Sequence, residues 1–148
     1  MNIVDKINNF NINNIFFLDK KKNIIIDGVF TKILYSLPNF SILGIFFEFD
    51  IKGTLTNNKF YYFDINENNE KINEYIEIEK TLLKLYKSNN NVNKTSIYTL
   101  KNHLNQGYLK VFTKKETRNK KYILKISGIW ETHSEIGITY KLLECSYL

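Results

Sequence analysis

Residues 29–35 read Val-Phe-Thr-Lys-Ile-Leu-Tyr, and this stretch is the clearest β pattern in the chain. All but one of its residues are β-branched, aromatic or aliphatic, which favours an extended strand. Because successive side chains of a strand point to opposite sides, we expect the odd-numbered residues on one face and the even-numbered residues on the other. The stretch therefore predicts a β-rich fold, and the neighbouring segments extend that prediction.

Turn signals and β patterns alternate on both sides of this strand. Polar residues 19–23 predict a turn, and Pro38, the only proline of the chain, marks another. Gly44 lies in the middle of a long apolar stretch, and a glycine there predicts a bend of the kind that small barrels need at their corners. The strands predicted for this half of the chain are 15–18, 24–35 with a kink at 27–28, 40–52, and 59–65 after a hairpin at 53–58.

The pattern then changes to helical spacing and returns to strands. Apolar residues near helical spacing predict an amphipathic helix over 70–87, with a short strand over 75–78 as the competing interpretation. A second short helix is expected to begin at Thr95 or Ser96 and to end at Gly107. The strands predicted after it are 108–114, 121–131 and 137–145, separated by turns at 115–120 and 132–135.

This order of elements predicts a mainly β fold of the β-rich α+β class. We expect residues 15–148 to form one domain, an OB-like, partly open antiparallel barrel with one or two helices between the fourth and fifth strands. Residues 1–14 are expected to be a loosely ordered lead-in. An antiparallel α+β sandwich with helices on one face is the alternative. Both share one predicted core: Ile25, Val29, Ile33, Ile42, Ile45, Leu82, Leu100, Leu109, Val111, Ile123, Ile126, Ile129, Ile138 and Leu142.

Composition bears on the compartment in which the chain works. Cys145 is the only cysteine, so no disulfide can form within the chain, which favours a reducing compartment. No apolar run approaches the roughly 20 residues that a membrane helix needs. The first ten residues have neither a basic start nor a small-residue cleavage site. We therefore expect a cytoplasmic protein that does not associate with a membrane.

Catalytic and cofactor motifs are absent from the sequence. The two histidines, His103 and His133, have no histidine or cysteine at metal-ligand spacing, and no glycine-rich phosphate loop or GxSxG elbow occurs. We expect a protein that is not an enzyme and that uses no metal or cofactor. Carboxylates gathered from distant strands, such as Asp27, Asp50 and Glu131, remain an alternative site of chemistry.

Positive charge is concentrated in one part of the chain. Residues 108–125 hold seven basic residues and one acidic residue, a net charge of +6 that equals the excess of the whole chain. Aromatic residues alternate with these lysines, and single-strand binders combine a basic groove with rings on which bases stack. Which face of 59–64 points outward stays open. The residues expected to bind nucleic acid are Lys59, Tyr61, Tyr62, Tyr108, Lys110, Phe112, Lys114, Lys115, Arg118, Lys120, Lys121, Lys125 and Trp130.

Two stretches carry a family resemblance. Residues 29–35 with 40–45, and residues 124–131 with 137–141, resemble small proteins of large cytoplasmic DNA viruses and of the cytosolic linear killer plasmids of yeasts. That group includes OB-fold single-stranded DNA-binding proteins. The resemblance implies a replication accessory protein that coats displaced strands in the cytoplasm. It fits an amino-acid composition rich in Asn, Lys, Ile, Phe and Tyr, whose codons are AT-rich.

The sequence thus predicts a non-catalytic single-stranded DNA-binding protein, largely independent of base sequence, that acts in replication of an AT-rich cytoplasmic viral or plasmid genome. RNA as a ligand, self-association and contacts with replication proteins stay open. The first alternative is a structural or protein-interaction subunit of a replication complex or virion. Recognition of duplex DNA or DNA ends is a second alternative, and an enzyme is the third.

Overall fold

A computed structural model describes residue 4 and residues 6–23, 27–57, 59–112 and 120–146. These residues form a mainly β structure of eleven strands and two helices, in agreement with the predicted β-rich α+β class. The strands are β1 (Ile15–Phe17), β2 (Lys21–Asn23), β3 (Gly28–Leu37), β4 (Phe40–Leu43), β5 (Ile45–Glu48), β6 (Gly53–Thr56), β7 (Phe60–Phe63), β8 (Thr95–Ser96), β9 (Tyr108–Phe112), β10 (Lys120–Glu131) and β11 (Glu135–Ser146). The helices are α1 (Asn69–Asn90) and α2 (Thr99–Gln106).

The strands form one open sheet in the order β1-β3-β10-β11-β9-β7-β6. The long antiparallel pair β10–β11 lies at its centre, and β5 pairs with β10 beside β3. The two contacts of β11 with β8 and β9 are parallel, so the sheet is mixed and differs from the all-antiparallel arrangement that we expected. In the described part of the chain, its end strands β1 and β6 do not pair with each other.

Gly44 separates two strands that the sequence predicted as one. β4 pairs with β3, whereas β5 pairs with β10. Gly44 has a positive φ of 87°, a conformation that glycine adopts without a steric cost, and its N–H donates to the Ile33 carbonyl at 2.7 Å. The predicted bend is therefore the point at which the chain changes its pairing partner.

The core lies between the inner side of the sheet and the two helices. Tyr75 and Tyr86 of α1 are fully buried there, together with Phe47 of β5, and such side chains each contribute roughly 1.5–3 kcal/mol on burial. The two tyrosines were not among the predicted core residues. Its predicted core residues that are buried are Ile33, Ile45, Leu82, Leu100, Leu109, Val111, Ile126, Ile129, Ile138 and Leu142; Val29, Ile42 and Ile123 are half-buried, and Ile25 lies outside the described residues.

The start of α2 is capped from another helix. Thr95 and Ser96, the predicted caps, instead form β8. The buried Glu79 carboxylate of α1 accepts the N–H groups of Leu100 and Lys101, both at 2.9 Å. Burial raises the pKa of Glu79, and these two hydrogen bonds oppose that rise only in part. The capping carboxylate thus lies 21 residues before Leu100, in α1, and not in the turn next to α2.

The ends of both helices bear on other predictions. Gly107 terminates α2 in the left-handed conformation at φ 86°, as predicted. α1 is continuous through residues 75–78, so the alternative strand there is wrong. Neither described helix is long and apolar enough to cross a membrane.

The segment before β1 was expected to be loose, but its described part packs against the sheet. The Ile7 side chain is buried, and the Phe10 ring lies 6.0 Å from that of Tyr35 in a stacked arrangement. The N–H of Asn11 donates to the hydroxyl of Tyr35 at 3.1 Å. Residues 6–14 are therefore part of the domain. The turn predicted at 19–23 likewise contains a strand, β2.

Candidate nucleic-acid interface

The two sides of β7 have different surroundings. Tyr61 and Phe63 point into the core, and Tyr61 is only 6% exposed. Its hydroxyl donates to the Ile51 carbonyl at 2.7 Å, and burial raises its pKa. Tyr62 points outward and is 46% exposed. The structure therefore corrects the expectation for Tyr61, whose ring lies in the core and is not accessible for stacking on a base.

Three rings of β7 and β9 meet on the outer side of the sheet. Tyr108, Lys110 and Phe112 of β9 are exposed, and the residues between them are buried, as the predicted alternation required. Antiparallel pairing places Tyr62 opposite Tyr108 and Phe60 opposite Lys110. The ring centroids of Tyr62 and Tyr108 are 5.3 Å apart, and those of Phe60 and Tyr108 are 5.8 Å apart. These rings form one continuous, solvent-accessible patch.

Lysines from three strands lie beside two further aromatic rings, those of Phe112 and Phe46. The Nζ atoms of Lys110 and Lys141 lie 5.3 Å and 5.0 Å from the centroid of the Phe112 ring, so the two cations converge on one ring. Lys125 pairs with Lys141 across β10–β11, and its Nζ lies 5.3 Å from the Phe46 centroid.

None of these three lysines forms an ion pair with a described residue. Their charges are therefore available to an anionic ligand. We call Phe60, Tyr62, Tyr108, Lys110, Phe112, Lys125 and Lys141 the aromatic–basic face.

Lys141 was not among the residues predicted to bind nucleic acid. The β10–β11 register places it opposite Lys125, and the parallel β11–β9 register pairs Leu142 with Val111, the residue after Lys110. No spacing in the sequence gives that parallel register. One sequence signal could have identified Lys141. It precedes the predicted core residue Leu142 in a predicted strand, so the alternation of side chains indicates that Lys141 points outward.

The other basic residues that were predicted to bind nucleic acid differ in whether their charge is available beside the aromatic–basic face. Lys121 forms an ion pair with Glu48 at 3.3 Å, so its charge is largely offset. Lys59 is exposed in the turn immediately before β7, next to Phe60 of the face. Lys120 begins β10, and its side chain is not among those described. Lys114, Lys115 and Arg118 lie outside the described residues, in the connection between β9 and β10.

Trp130 lies near the end of β10, at the opposite end of the strand from Lys120 and Lys121. It pairs with Gly137 of β11, and its ring covers that glycine. A Cβ atom on Gly137 would lie 2.4 Å from Cζ2 of Trp130, so only glycine leaves room for the ring. The indole is held half-exposed on the sheet surface.

A groove of about 490 Å³ connects Trp130 with the aromatic–basic face. It lies where β11 lacks a neighbouring strand: β8 pairs with β11 only at 135–136, and β9 only at 142–143, within the described residues. α2 runs alongside this gap. The groove is therefore walled by α2, β9 and β11, and the rings of Phe60, Tyr108 and Phe112 line it together with Trp130.

His103 of α2 also lines the groove. Its Nδ1 is hydrogen-bonded to the hydroxyl of Tyr140, and burial raises the pKa of that hydroxyl. No group of three or more His, Cys, Asp or Glu side chains able to hold a metal ion occurs among the described residues. His103 thus serves as a packing and hydrogen-bonding residue at the side of the groove.

A second charged cluster surrounds a buried carboxylate at the end of β10. Glu131 is 1% exposed; it forms ion pairs with Lys20 and Lys94, each at 3.3 Å, and accepts a hydrogen bond from Tyr86. Tyr86 and Thr31 are hydrogen-bonded to each other at 3.1 Å. We call these five residues the Glu131 cluster. Burial by itself raises the pKa of Glu131, but the hydrogen bonds from Tyr86, Lys20 and Lys94 bring it below its usual value.

Two of the three carboxylates that were considered for chemistry have partners within the fold. Glu131 belongs to its cluster, whereas Asp50 forms an ion pair with Lys71 at 3.2 Å. Asp50 also accepts a hydrogen bond from Tyr75 at 3.3 Å. Asp50 and Glu131 therefore each have a structural role, whereas Asp27 is exposed in the turn before β3.

Comparison with known proteins gives no relative: no family model, curated protein or solved structure matches this chain. The aromatic–basic face and the groove beside it are therefore the features of the molecule that indicate a function.

Proposed function

We propose that this protein binds single-stranded nucleic acid on the aromatic–basic face and performs no chemical step. The observation that carries the proposal is the convergence of Lys110 and Lys141 on Phe112, without an acidic partner among the described residues, beside the exposed rings of Tyr62 and Tyr108. Lysines attract phosphates, and each base stacked on a ring contributes roughly 1–3 kcal/mol. Both kinds of contact are available on one surface.

The exposed rings favour a single strand over a duplex. In a duplex the bases are stacked on each other, so rings lying on a sheet surface have no base faces to contact. A single strand can turn its bases toward Tyr62 and Tyr108 while its phosphates follow Lys110, Lys141 and Lys125. Stacking requires no particular base, which supports binding that is largely independent of sequence.

We further propose that the sheet forms an OB-like, partly open barrel, and that the protein coats single-stranded DNA during replication of an AT-rich cytoplasmic viral or plasmid genome. The change of pairing partner at Gly44 supports the barrel. The abundance of residues with AT-rich codons supports the AT-rich genome. A parallel titration with oligo-U tests whether the ligand is RNA instead of DNA.

Fluorescence anisotropy with a labelled oligo-dT of about 16 nucleotides, the upper end of the site size of one OB fold, tests the proposal. We expect micromolar or tighter binding that weakens from about 50 mM to about 200 mM salt. The double variant Lys110→Ala/Lys141→Ala should bind several-fold more weakly. An absence of binding by the unaltered protein at low salt contradicts the proposal.

A matched control separates the face from net charge. Lys80 and Lys84 are exposed on α1, and Lys80 forms an ion pair with Glu77 at 3.6 Å. Lys80→Ala/Lys84→Ala removes the same charge from a different surface, and we expect it to bind nearly as well as the unaltered protein. Equal losses in both double variants would mean that the face has no special role.

A second candidate function is a protein-interaction subunit of a replication complex or virion. Phe16, Leu34 and Leu43 lie opposite one another on β1, β3 and β4, and Phe16 and Leu43 are 52% and 51% exposed. An exposed apolar row of this kind is typical of a docking surface. Light scattering distinguishes the candidates, since a stable oligomer that ignores oligo-dT would favour this one.

A further inference from the structure

We infer that the groove beside the aromatic–basic face holds one base of the bound strand, turned out of the base stack and resting against the Trp130 ring. The inference depends on the proposed function, because the rest of the strand would occupy that face. Its basis is that Phe60, Tyr108, Lys110 and Phe112 line both the face and the groove. A strand lying on the face thus passes the mouth of the groove.

The dimensions of the groove suit a small planar ligand. Its volume of about 490 Å³ falls within the range of roughly 300–1,000 Å³ that is typical of small-molecule sites. The gap in strand pairing along residues 137–141 leaves it open on the side toward β9. A base can therefore enter from the face without a rearrangement of the sheet.

The lining matches the chemistry of a nucleotide. Trp130 and Tyr108 supply flat apolar surfaces for the ring of the base. Thr99 and Gln106 of α2 and Thr139 of β11 supply hydroxyl and amide groups that can donate to and accept from the edge of a base. The cations of Lys110 and Lys141 lie beside Phe112, close enough to the lining for a phosphate on the same nucleotide.

Two sources could supply this chemistry, a base within a strand and a free nucleotide. The shared lining with the face favours a base within a strand. A strand would gain contacts from Tyr62, which is on the face but does not line the groove. A free nucleotide would gain nothing from Tyr62, so this residue separates the two sources.

Trp130 provides a direct readout, because it is the only tryptophan of the chain. A base stacked on the indole quenches its emission, whereas a base on Tyr62 or on the lysines of β10 does not reach it. We therefore expect tryptophan quenching to saturate at the same oligo-dT concentration as the anisotropy of the labelled oligonucleotide. Mononucleotide dTMP should quench only at much higher concentration.

Variants sharpen the measurement. Thr139→Phe fills the groove, and we expect it to lose the quenching and about tenfold of the affinity for oligo-dT, the contribution of one stacked base. Thr81→Phe makes the same substitution at an exposed position of α1 that does not line the groove, and it should retain both the quenching and the affinity. Tyr62→Ala should weaken oligo-dT binding while the quenching at saturation stays unchanged.

The outcomes distinguish this inference from the proposed function. Binding of oligo-dT by anisotropy without any change in Trp130 emission overturns the inference and leaves the proposed function standing. Quenching by dTMP at the concentration at which oligo-dT quenches would assign the groove to a free nucleotide, and it too overturns the inference. An absence of oligo-dT binding overturns both. Should Thr139→Phe fail to fold, the quenching of the unaltered protein and of Tyr62→Ala still decides the question.

Discussion

The aromatic–basic face and the Glu131 cluster contain the same residue types in opposite circumstances. Each brings lysines next to an aromatic ring: Lys110 and Lys141 lie beside Phe112, and Lys20 lies 5.7 Å from the centroid of Tyr86. In the cluster a buried carboxylate pairs with both lysines. On the face, no described carboxylate does so.

This difference indicates what each region does. A buried ionic group is tolerated only when its partners satisfy it, so the Glu131 cluster joins the chain before β2, the end of α1 and the end of β10. Exposed lysines beside rings have little effect on folding, because water satisfies them. Their arrangement makes sense as a surface for an anionic partner. Substitutions in the two regions should therefore affect different quantities.

The largest effect is expected from Glu131→Ala. It removes the carboxylate that accepts from the buried Tyr86 hydroxyl and that pairs with Lys20 and Lys94. Because Tyr86 keeps its hydrogen bond to Thr31 and both lysines reach solvent, we expect a cost of about 2 kcal/mol of the free energy of unfolding, measured by urea titration. Affinity for oligo-dT should be unchanged under conditions in which the variant is folded. A loss of affinity with normal stability would reverse the assignment of the two regions.

The next effect is expected from Tyr108→Ala on the face. Its ring contacts both Phe60 and Tyr62, so its loss should weaken oligo-dT binding about tenfold, or 1.4 kcal/mol, in anisotropy titrations. Tyr61→Phe is the matched control on the inner side of the sheet. It removes the hydrogen bond to Ile51 and should cost about 1 kcal/mol of stability while leaving affinity unchanged. Equal affinities for Tyr108→Ala and the unaltered protein would exclude stacking at this position.

The alternation of exposed and buried residues in β3 and β9 could be predicted from the sequence, since a strand has a fixed side-chain period. The glycine bend, the long helix and the end of the short helix also followed from local signals. Of these local features, the side-chain period of a strand determines which residues share a strand face. They explain why Tyr108, Lys110 and Phe112 were placed together correctly.

Features that depend on distant parts of the chain could not be predicted. The cap of α2 comes from Glu79 in another helix, and the convergence of Lys141 with Lys110 needs a parallel register that no local pattern encodes. The choice between Tyr61 and Tyr62 was equally inaccessible, because both faces of β7 are aromatic. It is determined by which side of the strand meets Phe49 and Tyr122, whose rings lie 5.9 Å and 4.5 Å from that of Tyr61.

A smaller effect concerns the salt dependence of binding. Each phosphate neutralised on a single strand contributes about 0.7 to the slope of log K against log salt. Lys110→Gln/Lys141→Gln should therefore reduce that slope by about 1.4, measured by anisotropy at several salt concentrations. Lys80→Gln/Lys84→Gln, with the same charge change on α1, should leave the slope unaltered. A slope that is the same in both double variants would mean that the phosphates do not follow the face.

The smallest effect is expected from pH, and it concerns the Glu131 cluster and not the aromatic–basic face. Because the pKa of Glu131 is lowered in the folded protein, the unfolded chain takes up this proton first as the pH falls. The contribution of Glu131 to stability is thus present above its usual pKa near 4.5, and it is lost as the pH falls further toward the folded value.

Glu79 acts in the opposite direction, since its raised pKa makes the folded protein bind a proton more readily. A single acid titration of the unaltered protein would therefore mix the two groups. Comparison with Glu131→Gln removes the difficulty, because Glu79 is common to both proteins and cancels in the difference. Urea midpoints at pH 7 and pH 4 should show a larger loss in the unaltered protein than in Glu131→Gln. Parallel losses would mean that the Glu131 carboxylate is not preferentially charged in the folded state, and the contrast between the two regions would then lie in burial and not in charge.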